Sequence, residues 1–170
     1  SYTAAAKKAA DFILTRMRDS GGRLYHCFRD DAPTVPANLD DYAFLTYGLY
    51  ELYETTFNAS YLEQALVLNN YLVERFWDKE HGGFFFTSDA NEELLVRQKD
   101  IYGGALPSGN AIAMLNLLRL GRITARADLE EKAATLGRAF YEAVTQRPSA
   151  YTDLLAAADF TIGPAFEVVI

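Results

Sequence analysis

Two kinds of helix alternate along this chain, and that alternation limits the folds open to it more than any other feature. Residues 38–55, 108–120 and 149–159 read as helices that are apolar or aromatic nearly all round. A helix without a polar face is buried on several sides. Residues 1–18, 58–77 and 128–145 read instead as amphipathic helices. In the first of these, Ala9, Phe12, Ile13, Leu14 and Met17 form the apolar stripe, and Lys7, Lys8, Asp11, Arg16 and Arg18 the wet face. An inner layer of helices wrapped by an outer one requires this order. The links from inner to outer helix are short, at Thr56-Phe57 and residues 121–126. Two of the three returns are long and strand-bearing, so the long loops gather at the rim where inner helices begin. Long loops of that kind carry function.

The returns share a pattern. Residues 8–22 and 69–83 both run through an amphipathic helix, an Asp, a turn and Gly-Gly, and each leads into an aromatic strand: residues 23–28 in one case, 82–87 in the other. The stretch containing Pro33 and Pro36 reads as a polar loop, and residues 94–97 as a strand able to pair with 82–87. A repeating helix pair marks a solenoid or toroid, in which one unit alone cannot bury its face. The expected fold class is therefore all-α: a partial (α/α) toroid of antiparallel helical hairpins with short β-hairpin insertions at one rim. Residues 1–170 are expected to form a single fragment, roughly half of a six-hairpin barrel. Residues 167–170, Glu-Val-Val-Ile, read as the start of a buried strand. The open edge of such a fragment offers a surface for self-association.

Composition narrows the partners. Half of the 170 residues are hydrophobic and 14% are aromatic, enough to exclude a disordered chain. The formal net charge is -7, with no basic cluster beyond pairs such as Lys7-Lys8. Phosphate-tracking surfaces need clustered Lys and Arg, so no nucleic acid and no anionic membrane is expected as a partner. The apolar runs are broken by charges before they reach the roughly 20 residues of a membrane span. The single cysteine, Cys27, has no internal disulfide partner. Together these point to a soluble, reducing, cytoplasmic setting. No metal-ligand spacing, nucleophile elbow or phosphate loop is present, so neither metal nor cofactor is expected.

Three strings resemble one family. They are Leu39-Asp40-Asp41-Tyr42-Ala43-Phe44-Leu45; Phe76-Trp77-Asp78 continuing to Gly82-Gly83-Phe84-Phe85-Phe86-Thr87; and Lys99-Asp100 continuing to Gly104-Ala105-Leu106-Pro107-Ser108-Gly109-Asn110. They are similar to the C-terminal toroid of thioredoxin-domain-containing proteins of the spermatogenesis-associated type, with Pro-Ser-Gly-Asn as the most specific part. The resemblance implies a six-hairpin, glycosidase-like barrel, similar to N-acylglucosamine 2-epimerase barrels, that follows a thioredoxin-like domain. It implies a sugar ligand at the rim and that domain as a possible partner. Gly103 departs from the family pattern, standing where an Asp is expected.

The rim holds the candidate chemistry. Asp40 and Asp41 lie in the first turn of the first inner helix, where carboxylates complement the helix dipole. They serve either as helix-start groups only or as acids and bases facing a cavity. Asp100 precedes the next inner helix, with Arg97 and Lys99 beside it to hold a polar ligand or to pair among themselves. Glycoside cleavage needs two carboxylates at a set separation, and Asp40 or Asp41 with Asp100 is the pair this chain places on one rim. Ser108 caps the second inner helix or meets ligand, and Asn110 binds ligand or braces the Lys99-Asp100 loop. Tyr102 adds an aromatic face on which a sugar can stack. His26 lies in a rim strand, structural or touching ligand. His26 and His81 are the only histidines and neither maps to an inner helix, which argues against epimerase chemistry here. The competing reading is a non-catalytic scaffold that docks a thioredoxin-like domain.

Overall fold

A computed structural model describes residues 1–90 and 96–163. Among these the chain is mostly helical, with seven α-helices and one two-stranded antiparallel hairpin. Helix α1 (Tyr2–Arg16) is capped by Ser1, whose hydroxyl accepts from the Ala4 N–H. It ends before the Gly21-Gly22 pair. Arg18 then forms an isolated antiparallel bridge with Leu24, and the Asp19 carboxylate accepts from the Gly21 and Arg23 amides in the turn between them. The same construction returns after the third helix. Trp77 bridges Phe84, and Asp78 accepts from the Glu80 and His81 amides. The internal similarity is thus a repeated helix, bridge and Asp-held turn, built because a short acidic side chain satisfies turn amides that no ladder serves.

Strands β1 (Tyr25–Arg29) and β2 (Ala32–Pro36) pair with Arg29 opposite Ala32 and Tyr25 opposite Pro36. This corrects the loop expected around Pro33 and Pro36. Asp30 and Asp31 both take positive φ, 51° and 60°, which makes the two-residue connection a type I′ turn. The prolines are tolerated because β2 has a free edge. Residues 82–87, expected as a strand, make a single bridge, at Phe84, among the described residues. The Phe86 amide donates to the Gln98 carbonyl at 2.7 Å, so a return segment does run beside them. Leu94 and Leu95 of the expected second strand, and residues 167–170, lie outside the described residues.

Helix α2 (Leu39–Thr56) opens on a capping box between Asn38 and Asp41 and stops at Phe57, which adopts the left-handed conformation. Helix α3 (Ala59–Arg75) follows at once, capped by Asn58. Helix α4 (Gly109–Thr124) is capped by Ser108 and ends at a left-handed Ala125. The helix expected over 128–145 divides into α5 (Ala127–Ala139) and α6 (Tyr141–Gln146). The break falls at Phe140, whose ring packs against Gly83 and the core. A single 3-10 turn, Pro148–Ala150, precedes α7 (Thr152–Ile162), which therefore starts later than its proline suggested.

The hairpins α2/α3 and α4/α5 pack antiparallel. Helix α2 also lies against α4, α4 against α7, and α1 against α2. The three apolar helices thus form a row, with α4 in the middle and the most buried. Ala43, Leu49, Leu68, Leu72, Leu117, Leu120 and Leu136 fill the core. No described helix is long and apolar enough to cross a membrane.

Asn69 stands out in that core. It is fully buried, and neither its amide nitrogen nor its oxygen has a hydrogen-bond partner among the described residues. A buried polar group without a partner costs about 1–3 kcal/mol. Asn69→Leu, similar in volume, should therefore stabilise the chain by about 1–2 kcal/mol in urea unfolding. An unchanged or lower midpoint would mean that an internal water satisfies the amide.

Candidate functional site

The starts of α2, α4 and α7 converge at one end of the helical row, and the loop from Lys99 to Leu106 lies across them. Pro107-Ser108-Gly109-Asn110 explains how they come so close. Ser108 closes the first turn of α4 by accepting from the Ala111 N–H at 3.2 Å. At Gly109 a Cβ would sit 2.2 Å from Asp40 Oδ1 and 2.8 Å from Leu39 Cγ, so only glycine admits α2 at this distance. Asn110 is fully buried. Its Oδ1 accepts from the Phe84 N–H at 2.8 Å, and its Nδ2 donates to the Phe84 and Asp100 carbonyls at 3.0 and 2.8 Å. Asn110 is therefore the brace of the Asp100 loop and holds the Phe84 bridge at the same time.

Asp40 and Asp41 part in role although they are adjacent. Asp41 Oδ2 accepts from the Asn38 N–H at 2.9 Å, completing the capping box. Both Asp41 oxygens also lie 2.9 Å from His26 Nδ1. A carboxylate can only accept, so Nδ1 carries the hydrogen that points at Asp41. His26 is half-exposed, and β1 delivers it to the start of α2. Asp40 is half-buried. Burial pushes its carboxyl up from the ordinary range, the Asp41 and Asp100 charges push the same way, and only the Gly109 amide opposes them. The rim thus holds a carboxyl that keeps its proton more tightly than usual and, lining the same cleft, a histidine held by Asp41.

The cations expected to serve this rim are engaged elsewhere. Arg97 donates from Nε to the Thr87 carbonyl at 3.1 Å and from Nη2 to the Arg75 and Thr87 carbonyls, and its guanidinium lies 4.2 Å above the Phe85 ring. Lys99 donates to the Gly82 carbonyl at 2.6 Å and pairs with Asp78 at 2.5 Å. Both hold the loop in place and neither pairs with Asp100. Asp100 is exposed, and its side chain accepts from the Tyr102 N–H at 2.9 Å. Tyr102 is 62% exposed, available as a face but fixed by no side-chain bond.

One acid at this end was missed. Asp153 lies in the first turn of α7, and its Oδ2 would be 2.6 Å from a Cβ at Gly103. A side chain at 103 would displace the end of that carboxylate, so Gly103 and Asp153 lie face to face. Its signal was present in the sequence, since Asp153 occupies the place in α7 that Asp40 and Asp41 occupy in α2. Beside this rim, a cleft of about 610 Å³ runs between α1 and α2, with His26, Asp40 and Asp41 at its polar end.

Because folding raises the Asp40 carboxyl, its charged form weakens the folded state. The penalty is complete above the folded value and disappears as pH falls toward the ordinary value of 3.8. Asp40→Asn should therefore raise the melting temperature at neutral pH, and the gain should vanish in the weakly acidic range. Melting curves of both proteins across that range test the sign.

No family model matches the chain. It is 37% identical over 163 residues to spermatogenesis-associated protein 20 of Rattus norvegicus, covering 89% of this chain and 20% of that protein. It is 35% identical over 162 residues to the Homo sapiens protein of the same name, covering 89% and 21%. An uncharacterized protein of Caenorhabditis elegans is 30% identical over 163 residues, covering 92% and 22%. The chain spans about a fifth of the length of these relatives, and over that span it is a homologue of spermatogenesis-associated protein 20.

Proposed function

We propose that the rim at the starts of α2, α4 and α7 binds, and in the longer protein acts on, a hydroxyl-rich ligand of the carbohydrate class, within a ring of helical hairpins that the rest of a longer chain completes. The observation that supports this reading is that half-buried Asp40, its carboxyl pushed up by burial, and the His26–Asp41 couple line the same end of one cleft. Breaking or opening a sugar acetal needs one group that gives a proton and another that takes one. Asp100 and the exposed face of Tyr102 stand beside them as further sugar contacts. The protein would work in the cytoplasm, with Cys27 a reduced thiol.

The test is a panel of mono- and disaccharides titrated calorimetrically into the full chain and into an Asp41→Asn, Asp100→Asn double variant, with turnover followed in a full-length relative. Binding that disappears in the variant supports the rim as the site. Undiminished binding and turnover in the folded variant overturn it.

A second reading rests on a different observation. Leu155 and Ile162 are exposed on α7, seven positions apart and so on one helix face. Such a face suits a protein contact, and the thioredoxin-like domain of a longer chain is its candidate occupant. Association of that domain with this chain at micromolar concentration, lost in Leu155→Glu, would support a docking role. A sugar-binding chain that ignores the domain would reject it.

A further inference from the structure

We infer that the cleft between α1 and α2 takes an aliphatic chain, so that the ligand of the rim is an alkyl glycoside rather than a free sugar. The inference rests on the sugar reading above and adds the other half of the molecule. The cleft holds about 610 Å³, within the range of about 300–1,000 Å³ typical of small-molecule sites. Its walls are Ala9 and Ile13 on α1 and Phe44, Leu45 and Leu49 on α2, while His26, Asp40 and Asp41 are confined to one end. Sugar hydroxyls set against such walls would lose water and gain no partner, which is unfavourable. A hydrocarbon chain gains there what a sugar loses, and the acids and histidine at the end meet the hydroxylated head.

Gly48 adds an observation independent of the polar end. It lines the cleft from the middle of α2, where glycine weakens a helix relative to alanine. A Cβ built on it meets nothing within 4 Å. Packing does not demand the missing side chain, and the helix would be firmer with one. Its absence leaves the cleft open at mid-length, where the chain of a bound amphiphile passes.

The experiment titrates methyl, butyl, hexyl and octyl β-glucosides, each below its micelle concentration, into the full chain and into Gly48→Leu. In the unsubstituted chain, affinity should rise by up to about fourfold for each added methylene. In Gly48→Leu the octyl compound should lose at least about tenfold while the methyl compound is unaffected, since leucine fills the cleft and leaves the rim intact. A melting temperature no lower than that of the unsubstituted chain verifies that Gly48→Leu is folded. If all four glucosides bind equally, the alkyl site is wrong and the sugar rim stands. If an octyl chain bearing a sulfate head binds as tightly as octyl glucoside, the cleft is a general apolar surface and the inference fails. If no glucoside binds at any length, the inference and the sugar reading fall together.

Discussion

Asn110→Ala is expected to destabilise the chain by about 3–5 kcal/mol, because it strands both buried backbone groups of Phe84 and the part-buried Asp100 carbonyl at once. The Asn110 side chain bonds the Phe84 N–H, the Phe84 carbonyl and the Asp100 carbonyl, all within 3.0 Å, and it is fully buried. Alanine can replace none of these bonds, and each buried group left unpaired costs about 1–3 kcal/mol. Asp is no rescue, since a carboxylate cannot donate to the two carbonyls. Guanidinium unfolding measures the loss. A cost under about 1 kcal/mol would show that water enters and replaces the amide. The substitution should also release the Asp100 loop, so hydrogen exchange at Tyr102 and Gly104 should accelerate more than at the α3 amides.

Lys99→Met should cost about 3 kcal/mol, the order expected when one partner leaves a mostly buried ion pair. Lys99 and Asp78 side chains are 17% and 10% exposed, and their charged atoms lie 2.5 Å apart. Burial alone would raise the Asp78 carboxyl. The Lys99 hydrogen bond and the Glu80 and His81 amides outweigh it and hold the group well below the usual carboxylate range. The sign of the pH dependence follows. A depressed carboxyl contributes stability that is complete above its ordinary value of 3.8 and is lost as pH falls toward the folded value. Asp78→Asn should therefore be destabilising at neutral pH, and the difference from the unsubstituted protein should start to shrink only as pH falls below about 4. A double-mutant cycle with Lys99→Met isolates the pair, and a coupling energy near zero would place the stabilisation in the turn amides instead.

Much of the helical frame was legible along the chain. The alternation of all-apolar and amphipathic segments located six helical segments, of which the structure divides one, and Asn38, Asn58 and Ser108 stand at starts because Asn and Ser side chains satisfy first-turn amides locally. Local rules failed where a distant residue intervened. Phe140 breaks the helix expected over 128–145 because its ring is drawn to Gly83, which the sequence keeps far away. The β1–β2 hairpin was readable in principle, from Asp30-Asp31 between two short runs, but the prolines hid it. At the rim, Asp40, Asp41 and Asp100 were identified by residue type. Asp153 occupies the matching first-turn place in α7, and α7 lying against α4 brings it to this end of the molecule.

The sequence by itself determined most of the helices, several of their caps, which of them are apolar or amphipathic and the acidic nature of the rim, because each depends on neighbours within a turn or two of the chain. Only the tertiary structure decided what the polar residues do. Lys99 and Arg97 look like ligand-holding cations in the sequence, yet in the fold their donors are taken by Asp78 and by the Gly82, Thr87 and Arg75 carbonyls. His26, which the sequence leaves as either structural or ligand-touching, is set against Asp41 by the hairpin that carries it. Such assignments turn on distances of a few ångströms between segments far apart in the chain. Those distances follow from how the helices pack, and here from a single missing side chain at Gly109 that lets α2 and α4 meet.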